Sequence, residues 1–276
     1  MVIFLNGKFL KQEEAKVSAF DRGFLYGDGL FETIRFYSGE PFAWKEHMRR
    51  LQKALKQMRV AIPYKDDDLL SFCKKVIESN GLQNKDAYLR ITVTRGVNTA
   101  LRDFSSSMPT VFIFTREIDI DLLKKRSLEG ITGITVPFCR GDFASLKHIG
   151  YLPSLFAFME TGDSDVEPIF TSGGKILEGA TSNIFFVKRG SVITPKKGIL
   201  KGVIRELLIK SLKRRSVKVE ERDVFLKEVK EFSGCFITNS IIEVLPLVKL
   251  NNINFNTEEV RDLFCLIEEI KRAGLK

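Results

Sequence analysis

Residues 142–153 read DFASLKHIGYLP, and they place a single lysine, Lys147, among small and apolar residues with Tyr151 four positions later. Lysine is rarely buried, because its ammonium group loses hydration in apolar surroundings. A buried lysine gives up its proton more easily and becomes an amine able to form a Schiff base. Since many lysines beside apolar runs only extend to the surface, the stretch indicates chemistry only in combination with other motifs.

Two further motifs supply a carboxylate and a site for an anion. Residues 177–185 read LEGATSNIF, where Glu178 precedes a glycine that permits close approach of a flat ring. Residues 198–205 read GILKGVIR, where Gly202 precedes a predicted helix whose first backbone N–H groups are suited to an anion. Pyridoxal phosphate requires an amine, a carboxylate beside its pyridine nitrogen, and a phosphate site. The three motifs together therefore predict this cofactor.

The composition narrows the class of protein. A chain of 276 residues is long enough for one large domain or two medium ones, and its 44% hydrophobic and 29% charged residues are typical of a soluble globular protein. No run approaches 18 consecutive apolar residues, and the first residues lack the basic segment and cleavage site of a signal peptide. We therefore expect a cytoplasmic protein that does not contact a membrane.

Cysteine usage and charge exclude other classes. The four cysteines, Cys73, Cys139, Cys235 and Cys265, form no CxxC pair, which indicates free thiols in a reducing compartment. Because neither of the two histidines lies near a cysteine cluster, no metal site is expected. The net charge is +9, but basic and acidic residues alternate along the chain. This pattern favours the attraction of anionic substrates over binding to nucleic acid.

The hydrophobic periodicity predicts an α+β protein in two parts. The N-terminal α+β domain is predicted at 1–116, the inter-domain connection at 117–121, and the C-terminal cofactor-binding α/β domain at 122–276. The predicted helices are 43–59, 66–79, 152–161, 203–214 and 257–272. The predicted strands are 2–5, 8–10, 87–94, 110–115, 131–138, a hairpin over 168–178, 183–187, 192–194, 217–221 and 235–238.

Three other stretches carry candidate binding residues. Residues 18–35 read SAFDRGFLYGDGLFETIR, a glycine-rich loop that enters a strand. Residues 46–51 read EHMRRL, and on a helix His47 and Arg50 share a face, so an inward Arg50 would suit a phosphate. Residues 236–246 read FITNSIIEVLP, where polar residues follow an apolar strand. That strand end is a second place for donors to a phosphate or carboxylate.

In their order and spacing, these motifs resemble those of the class IV aminotransferases, the fold-type-IV pyridoxal phosphate enzymes, from Asn6 to Pro246. The resemblance implies a two-domain fold and a homodimer in which loops of the partner subunit complete the pocket. It implies that Lys147 bears the cofactor, that Glu178 pairs with the pyridine nitrogen and that Arg50 binds the phosphate. The other cofactor-binding residues that it implies are Tyr151, Ser182, Asn183, Leu200, Gly202, Val203, Ile204, Ser240 and Ile241.

The chain departs from the family at Ile204, where many members use a threonine hydroxyl on the phosphate. Only the backbone N–H remains there, which implies somewhat weaker phosphate binding.

The family contains D-amino-acid transaminases, branched-chain transaminases and 4-amino-4-deoxychorismate lyases, which share the cofactor site. Thr33 and residues 238–240 are similar to the lyase and D-transaminase branches, whereas Tyr88-Leu89-Arg90 resembles the branched-chain pattern. Our hypothesis from the sequence is a transaminase acting on a D-amino acid and a 2-oxo acid such as 2-oxoglutarate, with the lyase and the branched-chain transaminase as alternatives. The predicted substrate-binding residues are Phe31, Thr33, Arg35, Arg90, Arg102 and Asn239.

Overall fold

The computed structural model describes residues 1–104, 108–162 and 165–274, and these form two compact units. The first unit comprises residues 1–118 and 146–150, and the second comprises 119–145 and 151–274. The segment 146–150 differs from the sequence-based division, which placed it in the C-terminal domain. Its backbone pairs with the first unit, because Phe31 N–H donates to Lys147 O (2.9 Å) and Ile149 N–H donates to Gly29 O (3.1 Å). Lys147 therefore belongs to the first unit.

The first unit is a six-stranded sheet, as far as the described residues go, with two long helices packed on it. Every strand pair is antiparallel, in the order β2-β1-β6-β5-β3-β4. Its strands are β1 (Val2–Leu5), β2 (Lys8–Lys11), β3 (Gly29–Tyr37), β4 (Glu40–Pro41), β5 (Ala87–Thr94) and β6 (Thr110–Glu117). Its helices are α1 (Arg22–Tyr26), α2 (Trp44–Met58) and α3 (Asp66–Ser79), with a 3-10 turn at Gln12–Glu14.

The two faces of this sheet have different roles. Ile34, Leu89 and Ile91 point to one face and join the core with Met48 and Leu51 of α2. Because side chains alternate along a strand, their neighbours occupy the opposite face. The β3–β5 register aligns Phe31 with Thr92, Thr33 with Arg90, and Arg35 with Tyr88 on that second face. The predicted substrate-binding residues of β3 and β5 thus share one face.

The second unit is a mixed sheet with order β12-β11-β10-β14-β15-β7-β8-β9-β13 in the described residues, and β16 pairs with β15. Its strands are β7 (Ile131–Val136), β8 (Val166–Ser172), β9 (Lys175–Gly179), β10 (Asn183–Lys188), β11 (Ser191–Thr194), β12 (Val219–Glu221), β13 (Val224–Phe225), β14 (Gly234–Asn239), β15 (Glu243–Leu250) and β16 (Ile253–Asn254). Its helices are α4 (Ile120–Glu129), α5 (Leu152–Thr161), α6 (Val203–Arg214) and α7 (Glu258–Gly274), with 3-10 turns at Gly141–Phe143 and Leu226–Glu231.

The middle of this sheet positions the second group of candidate residues. Phe185 of β10 and Phe236 of β14 stack in parallel, with ring centroids 4.9 Å apart. The same pairing sets Asn183 opposite Thr238 at the strand ends, so the two side chains leave the sheet on one side.

Across the described part of the chain, no helix has the length and apolarity needed to span a membrane.

Candidate functional site

Lys147 lies against the strand face that carries the candidate substrate residues. Its Nζ is 4.4 Å from the centroid of the Phe31 ring, and Cζ of Arg90 is 3.9 Å from the same centroid. Arg90 Nε also donates to Thr92 Oγ1 (3.2 Å). The backbone bridge between Leu30 and His148 fixes the segment that carries the lysine. The structure therefore brings together three residues that the sequence had singled out in separate motifs.

Arg50 is held by a buried carboxylate that the sequence analysis did not single out. Glu32, on β3, is 1% exposed, and its two oxygens accept hydrogen bonds from Arg50 Nε and Arg50 Nη2, each at 2.7 Å. His47 Nδ1 lies 2.8 Å from the same carboxylate. The sequence placed His47 and Arg50 on one helix face, and the structure shows that this face turns inward onto Glu32.

Burial and charge have opposite effects on this cluster. Burial alone would raise the pKa of Glu32, but the Arg50 charge and the hydrogen bonds from Arg50 and His47 lower it to about 2. Burial lowers the pKa of His47, the hydrogen bond and charge of Glu32 partly oppose this fall, and the charges of Arg50 and Lys147 add to it. Since an ionised carboxylate can only accept hydrogen bonds, His47 donates its Nδ1–H to Glu32. The Arg50 guanidinium is thus fixed in a charged, bidentate pair.

Two other predicted substrate arginines have different surroundings. Arg35 is 8% exposed, donates to Asp86 through Nε (3.2 Å) and Nη2 (2.7 Å), and stacks on Tyr37. Its guanidinium therefore already binds a carboxylate of the protein. Arg102 is exposed in the loop that follows Val97. Arg22 donates hydrogen bonds to two carbonyl oxygens of this loop, those of Ala100 and Leu101.

Glu178 of the second unit is 2% exposed and lies beside polar groups of other segments. Its Oε2 accepts the backbone N–H of Leu200 (2.9 Å) and a longer bond from Asn183 Nδ2 (3.4 Å). Its Oε1 lies 3.1 Å from Nη1 of Arg140. Leu200 and Asn183 were predicted as cofactor residues, and the structure places both on Glu178. Arg140 was missed, because nothing in the sequence distinguishes this loop arginine from a solvated one.

Close packing explains the glycines beside these residues. A Cβ on Gly179 would lie 2.1 Å from Ser182 Oγ and 2.4 Å from Glu167 Oε1. Ser182 donates to that same Glu167 oxygen (2.7 Å), and burial raises the pKa of Glu167. Gly202 is equally restricted, because its Cβ would lie 2.1 Å from Asn183 Oδ1. The two glycines therefore leave room for the neighbouring side chains of the second unit to pack closely. The sequence alone did not reveal this reason for them.

The phosphate-binding amides predicted from the sequence fall into two groups. Val203 and Ile204 begin α6, and their N-cap residue Gly202 has no side chain to occupy the first N–H groups. In contrast, Ile241 N–H donates to Asn239 Oδ1 (2.8 Å), so this amide is engaged within its own turn, which Ser240 shares. Tyr151 is the N-cap residue of α5.

The donor set of each unit fits a part of pyridoxal phosphate. The first unit offers the Lys147 amine and the fixed guanidinium of Arg50. The second offers the buried Glu178 carboxylate, the open start of α6 and Thr238. Thr238 Oγ1 is buried and, within the described ranges of the chain, has no hydrogen-bond partner. These are the groups that a carbonyl-bearing, phosphorylated pyridine would bind.

The two-sheet α+β fold and this set of groups define a pyridoxal-phosphate enzyme of fold type IV. The sequence model of the family described as amino-transferase class IV matches residues 29–250. The chain belongs to the class IV aminotransferases, and pyridoxal 5′-phosphate is its cofactor. The predictions of family, fold class and cofactor from the sequence are confirmed.

The relatives include all three branches weighed from the sequence. A "Putative branched-chain-amino-acid aminotransferase" of Methanocaldococcus jannaschii is 34% identical, covering 98% of this chain and 94% of the relative. An aminodeoxychorismate lyase of Bacillus subtilis is 30% identical over 93% of this chain and 89% of the relative. A D-alanine aminotransferase of Listeria monocytogenes is 27% identical over 99% of this chain and 97% of the relative.

Similar solved structures include branched-chain aminotransferases. The enzyme from Thermoproteus uzoniensis with norvaline has a TM-score of 0.87 and 26% identity, covering 100% of this chain and 95% of that chain. The T.th. enzyme complexed with N-(5′-phosphopyridoxyl)-L-glutamate has a TM-score of 0.86 and 25% identity, covering 98% of this chain and 94% of that chain.

Proposed function

We propose that this protein transfers an amino group between a branched-chain L-amino acid and a 2-oxo acid such as 2-oxoglutarate. The observation that carries the proposal is the sheet face around Arg90. Phe31 contacts the Arg90 guanidinium, and the ring centroids of Tyr88 and Phe114 on the same face lie 5.8 Å apart. A branched-chain amino acid presents a carboxylate and an aliphatic side chain. A guanidinium binds the first, and aromatic rings pack against the second.

The comparisons support this proposal over the D-amino-acid hypothesis drawn from the sequence. The branched-chain relative of Methanocaldococcus jannaschii is 34% identical, against 27% for the D-alanine aminotransferase. The two structural neighbours named above are branched-chain enzymes, one with norvaline and the other with a phosphopyridoxyl derivative of L-glutamate. Norvaline is an unbranched aliphatic amino acid, and L-glutamate is the amino form of 2-oxoglutarate.

A second candidate is a 4-amino-4-deoxychorismate lyase. Its support is Thr33, which is similar to the lyase branch and lies opposite Arg90 on the candidate substrate face, and the 30% identity to the Bacillus subtilis lyase.

The proposed roles follow from the groups that surround each residue. Pyridoxal phosphate, when bound, supplies an electron-accepting ring that stabilises negative charge at the substrate α-carbon. Lys147 Nζ would hold the cofactor through its amine and would move a proton at the substrate α-carbon. The Glu178 carboxylate keeps the pyridine nitrogen protonated. Arg50 and the start of α6 bind the phosphate, and Arg90 orients the substrate carboxylate.

We also propose a homodimer. Among the described residues, exposed apolar side chains cluster on α1 with its adjoining loop and on α5, and such patches commonly mark protein interfaces. In the first unit, Phe24 of α1 is 76% exposed and Leu101 of the adjoining loop 62%. In the second unit, Leu152 and Met159 of α5 are 66% and 74% exposed. A surface of this kind is stabilised when a second copy of the chain covers it.

A cytoplasmic location is part of the proposal, and the cysteines support it. Cys73 and Cys235 are buried free thiols, and Cys139 is an exposed one. The side chain of Cys265 lies outside the described residues. Free thiols are typical of a reducing compartment.

The test is an assay of the purified protein loaded with pyridoxal phosphate. L-leucine, L-valine and D-alanine are each offered with 2-oxoglutarate, and glutamate formation is measured. Aminodeoxychorismate is offered separately, and pyruvate release is measured. We expect the highest kcat/KM with the two branched-chain L-amino acids. A higher value for D-alanine would restore the D-amino-acid hypothesis, and pyruvate release without transamination would establish the lyase.

A further inference from the structure

We propose that Arg140 is a positioning residue that fixes the orientation and the negative charge of Glu178 beside the cofactor's pyridine nitrogen. This inference rests on the cofactor role proposed above for Glu178. Nη1 of Arg140 lies 3.1 Å from Glu178 Oε1, and their side chains are 15% and 2% exposed. A buried carboxylate loses hydration and favours its neutral form, whereas a guanidinium at this distance favours the charged form. The pair therefore supplies the charge that a protonated ring nitrogen needs.

The surroundings of Arg140 hold the guanidinium in place from a second side. Nη2 donates to the carbonyl oxygen of Ala180 (2.7 Å), and the Phe170 ring centroid is 5.8 Å from Cζ. Ser154 Oγ donates to the same Ala180 oxygen (2.8 Å). Arg140 thus links the turn after β9 to the carboxylate at the end of β9. One end of the guanidinium is tied to the Ala180 carbonyl and the other forms an ion pair with Glu178 Oε1, while Leu200 N–H donates to Glu178 Oε2.

One more titratable group faces this pair. Glu167 of β8 is 8% exposed, and the positive charge of Arg140 acts on it. Burial raises the pKa of Glu167, and the hydrogen bonds from Ser182 and Thr181 together with the Arg140 charge only partly offset that rise. Two carboxyl groups therefore flank one guanidinium. Arg140 contacts Glu178 directly, so its charge favours the ionised form of Glu178 most strongly.

The test measures cofactor binding without substrate, so it does not depend on which amino acid the enzyme uses. The affinity for pyridoxal phosphate is measured by equilibrium dialysis from neutral to acidic pH for the parent and for Arg140→Gln and Arg140→Lys. We expect Arg140→Gln to weaken binding about tenfold or more at neutral pH. We also expect it to lose the cofactor at a higher pH than the parent, because Glu178 accepts a proton more readily without the guanidinium.

Arg140→Lys separates the electrostatic role from a structural one. A lysine keeps the charge but lacks the fork that reaches both Glu178 and Ala180. We expect Arg140→Lys to lose the cofactor at the same acidic pH as the parent. We expect its unfolding temperature to stay below that of the parent. The matched control is Arg126→Gln, which removes the partner of the exposed Asp165 in the same unit. It should change neither the pH dependence of cofactor binding nor the unfolding temperature.

A double-mutant cycle with Glu178→Gln decides whether Arg140 acts through Glu178. In the Glu178→Gln background, Arg140→Gln should weaken cofactor binding no further. The inference would be overturned if Arg140→Gln lowered the cofactor affinity equally in both backgrounds. It would also be overturned if Arg140→Gln lost the cofactor at the same acidic pH as the parent. If Glu178→Gln by itself leaves cofactor binding and the spectrum of the bound cofactor unchanged, the proposed role of Glu178 fails instead.

Discussion

Replacing Glu32 by glutamine should destabilise the first unit by about 3 kcal/mol at neutral pH. The pKa of Glu32 falls from its usual 4.5 to about 2 in the folded protein, a difference of about 2.5. One pKa unit corresponds to about 1.4 kcal/mol, so the charged carboxylate contributes about 3 kcal/mol to the free energy of unfolding. Glutamine has a similar shape but leaves the Arg50 guanidinium without its counter-charge in a mostly buried position.

The same substitution should remove a specific pH dependence. Because the folded-state pKa is lowered, the contribution of Glu32 is complete above pH 4.5 and is lost as the pH falls towards about 2. Urea unfolding at a series of pH values should therefore show a steeper acid loss of stability in the parent than in Glu32→Gln.

Glu40→Gln is the matched control for this measurement. Glu40 pairs with Lys74 at 2.7 Å, but both side chains are about half exposed, so the substitution should cost less than about 1 kcal/mol. If Glu32→Gln is no more destabilised than Glu40→Gln, or keeps the full acid dependence of the parent, the buried cluster does not stabilise the fold in the way described.

Four other outcomes are expected. Lys147→Ala should abolish turnover, and borohydride reduction followed by peptide mapping should label Lys147 in the parent; a label on another lysine would contradict the assignment. Gly179→Ala should lower the unfolding temperature, because its Cβ would meet Ser182 Oγ at 2.1 Å, and an unchanged melting curve would show that the turn relaxes freely. Arg90→Ala should raise the KM of amino-acid substrates by about tenfold or more but not that of a primary amine lacking a carboxylate, whereas equal KM values would place the carboxylate site elsewhere. Light scattering should give a dimer, and a fully active monomer would refute the homodimer.

Local signals in the sequence predicted most of the helices. The prediction for α3 reproduces Asp66–Ser79, because acidic residues begin it and a glycine follows shortly after its end. Helix α4 was missed, since none of its residues is buried and its apolar pattern is correspondingly weak. Strand β15 was also missed. Pro246 lies inside it opposite Phe236, and proline in a sequence argues against a strand.

The candidate site residues also divide into those that a local sequence pattern marks and those that only the folded structure reveals. Lys147, Glu178 and Arg50 stand in recognisable local patterns, so the sequence singled them out. Glu32 and Arg140 acquire their roles only from distant partners, 18 residues away for Glu32 with Arg50 and farther along the chain for Arg140 with Glu178. Which buried charge meets which depends on the pairing of strands across the fold. No periodicity in a single sequence contains that information.

The segment 146–150 has a consequence for attempts to divide this protein. It leaves the second unit, pairs with β3 through Gly29 and Phe31, and returns, so the first unit is built from two stretches of chain. A gene split near residue 118 would yield one fragment lacking its pairing segment and another carrying Lys147 without the strand it pairs with. Recombination of halves between relatives would likewise need crossovers on both sides of 146–150. A single cut in the chain therefore cannot separate the two units as independent modules.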